Sequence, residues 1–123
     1  MSTWRVLVVE DTFDDVQVVS RILQHYGMEV RVTRNGIECL NLLKEFEPTV
    51  IVMDLAMPEM DGWETLVAIR SNSATAHIPI VAITAYHSAD TAQDASTAGF
   101  DLYFPKPVDS RTFVQQIAQG LGI

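Results

Sequence analysis

The stretch Val50-Ile51-Val52-Met53-Asp54 holds four consecutive apolar residues and ends in a carboxylate. Residues 6–9 and 80–83 form two further apolar runs of the same kind, and residues 102–104 form a shorter one. A strand that is apolar at consecutive positions is covered on both faces, as strands inside a parallel sheet are. We therefore predict that the runs at 6–9, 50–53 and 80–83 lie at the centre of a parallel sheet.

A fifth strand is predicted at Glu29-Val30-Arg31-Val32-Thr33, where polar and apolar residues alternate. Alternation indicates burial on one side only, which places this strand nearer an edge of the sheet.

Helices are predicted between the strands, because apolar residues recur there about once per helical turn. The inward positions are Val16, Val19, Ile22, Leu23 and Tyr26 in the first helix, Ile37, Leu40, Leu43 and Phe46 in the second, and Phe113, Val114, Ile117 and Leu121 in the last. The third helix is predicted over about Gly62–Ser71, and the last from Ser110 to near Leu121.

Residues typical of helix ends mark several of these boundaries. Asn35, Ser88 and Asp109 are predicted to cap helix N-termini with their side-chain oxygens. Gly27 and Gly99 suit the left-handed residue that ends a helix.

Strand and helix therefore alternate along the whole chain. Alternation of this kind requires right-handed crossovers and predicts a doubly wound α/β fold, with a parallel sheet covered by helices on both faces. The length of 123 residues fits one compact domain. We expect a single domain over residues 1–123 with no output domain.

Composition excludes several classes of function. Lys and Arg number 8 against 16 Asp and Glu, a formal net charge of −8, which disfavours nucleic-acid binding. No apolar run approaches the roughly 20 residues that cross a bilayer, and no signal-peptide pattern follows Met1. The single cysteine, Cys39, cannot form an internal disulfide and is expected to be a small buried residue. We therefore expect a cytoplasmic protein without membrane contact, as a monomer or weak dimer.

Charged and polar residues stand where the predicted strands end. Glu10 and Asp11 follow the first strand, Asp54 the third, Thr84 the fourth, and Lys106 comes just after the fifth. The carboxyl ends of parallel strands meet at one edge of a sheet, where ligands of such folds bind. We expect three carboxylates, one hydroxyl and one ammonium to converge at that edge.

Three neighbouring carboxylates repel one another unless a cation lies among them. An all-oxygen cluster suits Mg²⁺ better than zinc, and Mg²⁺ often bridges carboxylates to a phosphoryl group. Lys106 and Thr84 are suited to bind phosphoryl oxygens, which leaves one carboxylate as nucleophile. Asp54, the central one, is the predicted nucleophile.

The chain resembles the receiver domain of two-component response regulators, of the stand-alone chemotaxis-regulator type. The matching pieces are Val8-Val9-Glu10-Asp11, Met53-Asp54-Leu55-Ala56-Met57-Pro58 with Asp61-Gly62, Ile83-Thr84-Ala85, and Lys106-Pro107. The resemblance implies a flavodoxin-like sheet of strand order 2-1-3-4-5. It also implies a cis bond between Lys106 and Pro107.

The resemblance also implies a role for each site residue. Mg²⁺ would be held by Glu10, Asp11, Asp54 and the backbone carbonyl of Ala56. Asp54 would accept a phosphoryl group from a sensor histidine kinase or a histidine phosphotransfer protein, and Thr84 and Lys106 would bind its oxygens. Tyr103 would be the switch aromatic, and the fourth helix, fifth strand and fifth helix would change their surface for a downstream protein target in trans.

Hydrolysis of the phosphoryl group is expected to be slow. Ala56 and Tyr86, two residues after Asp54 and Thr84, fall where the family borders the path of water. Ala56 cannot orient a water molecule, and Tyr86 is bulky enough to cover one side of the site. We expect a switch and not an enzyme that turns over outside substrates.

Other interpretations stay open at this point. Glu10, Asp11 and Asp54 also suit helix caps, and Lys106 also suits a solvated loop. A phosphate-independent interaction module is the main alternative function. A flavin-nucleotide carrier is disfavoured by the acidic turn after the first strand, and an aspartate phosphatase by Ala56 where a second acid is usual.

Two further features of the sequence are acidic residues at the start of the first helix and regularly spaced alanines in the fourth. Asp14 and Asp15 are interpreted as structural charges at the helix N-terminus. The helix carrying Ala89, Ala92, Ala95 and Ala98 is expected to be weakly anchored, either because it belongs to the surface that changes on phosphorylation or as an ordinary Ala-rich helix.

Overall fold

The computed structural model describes residues 3–123, which form one parallel sheet flanked by five helices. The strands are β1 (Arg5–Val9), β2 (Glu29–Thr33), β3 (Val50–Asp54), β4 (Ile80–Thr84) and β5 (Leu102–Pro105). The helices are α1 (Phe13–His25), α2 (Gly36–Leu42), α3 (Gly62–Ser71), α4 (Ala89–Ala98) and α5 (Phe113–Leu121).

The sheet has the predicted order β2-β1-β3-β4-β5, with every pair parallel. β3 and β4 are buried at every position, and β1 at all but Arg5. β2, the alternating strand, lies at an edge and buries only Thr33 fully. The central and edge positions predicted for these strands are confirmed. The burial expected on the apolar side of β2 was wrong, because Val32 is 42% exposed and Val30 is only half-buried.

Two apolar cores lie on opposite faces of the sheet, because successive strand residues point to opposite sides. On one face α1 and α5 pack against alternate strand residues such as Val8, Val52 and Val81. On the other face α2, α3 and α4 pack against the residues between them, such as Val9, Met53 and Ala82. The doubly wound α/β fold is confirmed.

Most predicted helix boundaries are correct. Asn35 accepts a hydrogen bond from the Glu38 amide, and Ser88 accepts one from the Thr91 amide. Gly27 and Gly99 have φ of 79° and 118°, the left-handed conformation expected at helix ends. α3 has the predicted bounds.

The predicted start of the last helix was wrong. Asp109 accepts a hydrogen bond from the amide of Arg111, and its carbonyl accepts from Thr112 and Phe113. These bonds form a separate turn, and α5 begins only at Phe113.

Two predicted inward positions are at the surface. Ile37 is 48% exposed, because α2 approaches α3 through Gly36, where a Cβ atom would collide with Thr65 and Met60. Tyr26 follows the last residue of α1, and the chain turns away at Gly27 so that Met28 packs into the core in its place. No helix within residues 3–123 is long and apolar enough to cross a membrane.

Candidate functional site

The carboxyl ends of strands β1, β3 and β4 bring the predicted site residues to one edge of the sheet. Asp54 is the last residue of β3 and pairs in register with Ile83, directly before Thr84. On the other side of β3 is β1, which leads into Glu10 and Asp11. The edge therefore carries the polar groups that the sequence placed there.

Adjacent residues of a strand point to opposite faces of the sheet, so Glu10 and Asp11 can share one site only where the chain leaves the strand. The chain turns out of β1 at Glu10 and meets this condition. The Glu10 amide still donates to the Thr33 carbonyl at 3.0 Å, while its carboxylate accepts from the Thr12 amide at 3.1 Å. Glu10 is completely buried and Asp11 is exposed. Glu10 thus lies beneath the site and Asp11 at its mouth.

Glu10, Asp11 and Asp54 form a carboxylate cluster. One carboxylate oxygen from each residue lies within 4.8 Å of the others. The Oδ1 atom of Asp54 also accepts a hydrogen bond of 3.1 Å from the Ala56 amide, which fixes the carboxylate. Burial raises the pKa of Glu10, and its hydrogen bond with Lys106 only partly offsets this. Positive charge close to the cluster is therefore favourable.

Lys106 supplies such a charge. Its side chain is 11% exposed, and Nζ lies 2.8 Å from Glu10 Oε2, 2.8 Å from Asp15 Oδ2 and 3.2 Å from Asp54 Oδ2. Burial lowers the pKa of Lys106, but the hydrogen bonds that its ammonium donates to Asp15 and Glu10 outweigh this and leave the pKa above its usual value. An ammonium has three N–H groups, and each has a carboxylate partner here.

The backbone places Lys106 over the sheet edge. Its amide donates to the Thr84 carbonyl at 2.8 Å, which ties the end of β5 to the end of β4. The peptide bond between Lys106 and Pro107 is cis, as predicted.

Thr84 and Tyr103 lie on the β4 and β5 side of the site. Thr84 is buried, and its Oγ1 accepts from the Tyr86 amide at 3.0 Å. The Tyr103 hydroxyl is hydrogen-bonded to His87 Nδ1 at 2.9 Å, so the residue predicted as a switch contacts the loop that follows Thr84. Tyr86 is 76% exposed, and its side chain lies largely in solvent.

Residues 6–118 match the response regulator receiver domain. The chain belongs to this family. Receiver domains are phosphorylation switches of two-component signalling, generally not turnover enzymes, and they interact with histidine kinases or phosphotransfer proteins and with downstream targets.

Individual relatives support the same assignment. The polar-differentiation response regulator DivK of Brucella anthropi is 31% identical over 117 residues, which cover 95% of each chain. The chemotaxis response regulator CheY4 of Vibrio cholerae has a structure similar to this one, with a TM-score of 0.87, 29% identity and coverage of 97% of this chain and 99% of that chain.

A second solved structure shows the same fold at lower identity. The receiver domain of the sensor histidine kinase PA1611 of Pseudomonas aeruginosa has a TM-score of 0.88 and 24% identity, and covers 99% of this chain and 100% of its own. A magnesium ion is coordinated in its active-site cleft.

The loop after β3 in this receiver domain is fixed by two residues whose physical role the sequence interpretation missed. A Cβ atom at Gly62 would lie 2.5 Å from the Asp54 carbonyl oxygen, so only glycine lets α3 begin this close to Asp54. Asp61 caps α3 by accepting from the Glu64 amide at 2.9 Å, and Glu64 accepts from the Asp61 amide at 3.3 Å. An acid followed three residues later by glutamate is the signal that predicts this capping box.

Asp15 is a second residue whose place was not predicted. It lies in the first turn of α1, as the dipole interpretation requires, but its carboxylate also binds Lys106. Asp14, its neighbour, is exposed and forms no ion pair within residues 3–123. The contact of residues 15 and 106 depends on how the loop after β5 folds back, and one sequence carries no signal of it.

Proposed function

We propose that this chain is a phosphorylation-dependent switch in which Asp54 accepts a phosphoryl group from a phosphohistidine of a partner protein. The observation that carries the proposal is the convergence of Asp54 with two further carboxylates and one nearly buried lysine. Its partner is a sensor histidine kinase or a histidine phosphotransfer protein, in keeping with the family.

In the proposed reaction a carboxylate oxygen of Asp54 attacks the phosphorus atom. An O–P bond forms, and the N–P bond breaks with its electron pair on the imidazole nitrogen. The imidazole leaves neutral when its other nitrogen carries a proton. Charge shifts towards the phosphoryl oxygens and the leaving group during transfer, so fixed positive charge at the site lowers the barrier.

The residues present fit a magnesium ion. Three carboxylates that approach within 4.8 Å of one another provide an all-oxygen donor set. Asp11 is exposed, so the site is open to solvent on that side. Glu10, Asp11, Asp54 and the carbonyl of Ala56 are the proposed ligands. Bound Mg²⁺ would supply positive charge that relieves repulsion among the carboxylates and attracts the phosphoryl oxygens.

Thr84 and Lys106 are proposed to bind the phosphoryl oxygens once Asp54 is modified. The Thr84 hydroxyl donates one hydrogen bond, and the Lys106 ammonium donates another. Movement of Thr84 carries the loop that holds His87, and His87 is bonded to Tyr103. Tyr103 is therefore proposed to change position, which alters the surface of α4, β5 and α5 for a downstream protein in trans.

The chain is also proposed to lose its phosphoryl group slowly. Ala56 is exposed at the mouth of the site and has no polar side-chain atom that would orient water. The proposal does not rest on Tyr86, because its side chain lies largely in solvent, contrary to the expectation that it covers one side of the site.

The test is phosphorylation by a small phosphodonor with Mg²⁺, followed by intact-protein mass. The wild-type protein is expected to gain one phosphoryl group, and Asp54→Asn none, because an amide of nearly the same shape is a poor nucleophile. Asp94→Asn, the same change on exposed α4, is the control and should behave as wild type.

Two results decide against the proposal. A phosphoryl group on Asp54→Asn would place the acceptor elsewhere. A wild-type protein that gains no phosphoryl group from any donor, yet folds and binds Mg²⁺, would favour the phosphate-independent interaction module.

A further inference from the structure

Among the residues that the structure describes, Asp15 is the one partner of Lys106 that lies outside the carboxylate cluster. Glu10 and Asp54 belong to the cluster and are almost completely buried. Asp15 projects from the first turn of α1, and its side chain is 39% exposed. Its 2.8 Å bond to Nζ therefore ties the ammonium to α1, outside the proposed phosphoryl site.

All three N–H groups of Lys106 are occupied before any phosphoryl group arrives. For the ammonium to donate to a phosphoryl oxygen, at least one of its three present bonds must weaken or break. Glu10 and Asp54 are shared with the cation that the proposed function requires, whereas Asp15 is not. The bond to Asp15 is therefore the one that keeps its full strength and competes with the phosphoryl oxygen.

We infer that Asp15 is a positioning residue that restrains the Lys106 ammonium and thereby slows phosphorylation of Asp54. The inference rests on the proposed function and deepens it. Asp15 touches neither the phosphoryl group nor the cation; it acts through the lysine. Its removal frees one ammonium N–H for the transition state, so the rate rises.

The experiment compares initial rates of phosphorylation by acetyl phosphate at saturating Mg²⁺. In this reaction the O–P bond to Asp54 forms, the P–O bond to acetate breaks, and acetate leaves with the electron pair. Asp15→Asn is expected to be phosphorylated about threefold to fivefold faster than wild type. This change in rate corresponds to the free energy of a partly exposed ion pair. Asp15→Ala should change the rate in the same direction.

Two matched variants separate the lysine contact from general charge. Asp14→Asn removes the same charge from the same helical turn without touching Lys106, and its rate should equal that of wild type. Asp15→Glu keeps a carboxylate within reach of the ammonium and should restore the slow rate. A purely structural role of Asp15 predicts slower phosphorylation in both Asp15→Asn and Asp15→Ala.

Several outcomes would overturn the inference. An unchanged or lower rate in Asp15→Asn would show that Asp15 does not restrain the lysine. An equal gain in Asp14→Asn would attribute the effect to overall charge. These results differ from failure of the proposed function, in which the wild-type protein itself gains no phosphoryl group on Asp54.

Discussion

Helices α3 and α4 have the same length, 10 residues, and follow neighbouring strands, but their anchoring is very different. α3 buries Leu66 and Ile69 completely against the sheet. α4 buries only Ala95, whose side chain is a single methyl group. Burial of large apolar side chains is the main source of helix stability in a folded domain, so α4 should open at much lower free energy than α3.

The two ends of α4 also differ. Arg70 of α3 donates to the carbonyls of Ala76, Ile78 and Gly99 and to the Asp101 carboxylate, which ties the C-terminal end of α4 to α3. The N-terminal end follows an exposed loop, residues 85–88, which comes directly after the buried Thr84. The weakly packed α4 is therefore held at its C-terminal end, away from the site, and is less constrained at its N-terminal end, beside the site.

The largest expected effect comes from truncation of a large side chain in α3. Leu66→Ala leaves a cavity in a fully buried position and should lower the free energy of unfolding by about 2–5 kcal/mol. Ala95→Gly, at the buried position of α4, should cost about 1–2 kcal/mol from one methyl group and added backbone entropy. Urea denaturation measures both. Equal losses would mean that α4 is as firmly anchored as α3.

The second effect concerns the tie between the helices. Arg70→Met removes hydrogen bonds to three carbonyl groups and to Asp101, and should lower the free energy of unfolding by about 2 kcal/mol. Arg111→Met is the control, because Arg111 is exposed and, among residues 3–123, pairs only with nearby Asp109. It should unfold at the same urea concentration as wild type. If both variants lose the same stability, Arg70 does not act as a tie.

The weak anchoring of α4 was visible in the sequence, whereas the tie was not. The alanines at positions 89, 92, 95 and 98 predicted an inward face without large side chains, and of these four only Ala95 is buried. Arg70 contacts residues up to 31 positions away, and such contacts follow from the folded path of the chain and from no local pattern.

The same division holds for the site. Glu10, Asp11, Asp54 and Thr84 were placed correctly, because the ends of parallel strands necessarily meet at one edge. The share of Asp15 in binding Lys106 was missed, because an acid in the first helical turn already has a sufficient local explanation. Local patterns thus predicted the elements and the edge, and failed where loops bring distant residues together.

A smaller effect is expected from the two helix caps. Asp61→Ala and Ser88→Ala each remove an N-cap worth about 1 kcal/mol. The loss should appear as lower global stability for Asp61→Ala, because α3 opens only with the core. For Ser88→Ala it should appear as faster hydrogen exchange of α4 amides, by about fivefold, with little change elsewhere. If Ser88→Ala speeds hydrogen exchange equally in α3 and α4, α4 does not open on its own.

The smallest expected effect concerns Cys39, whose alkylation rate should not change when only α4 is loosened. This residue is completely buried in the core beside α3, and burial raises the pKa of its thiol to about 12. The thiolate is the reactive form, so alkylation by iodoacetamide near pH 8 should require global unfolding. Ser88→Ala, which loosens only α4, should therefore leave the alkylation rate as in wild type, whereas Leu66→Ala should raise it because the core itself opens more often. Mass spectrometry of timed samples measures both rates. Faster alkylation in Ser88→Ala would show that opening of α4 exposes the core, and the two helices would then belong to one cooperative unit.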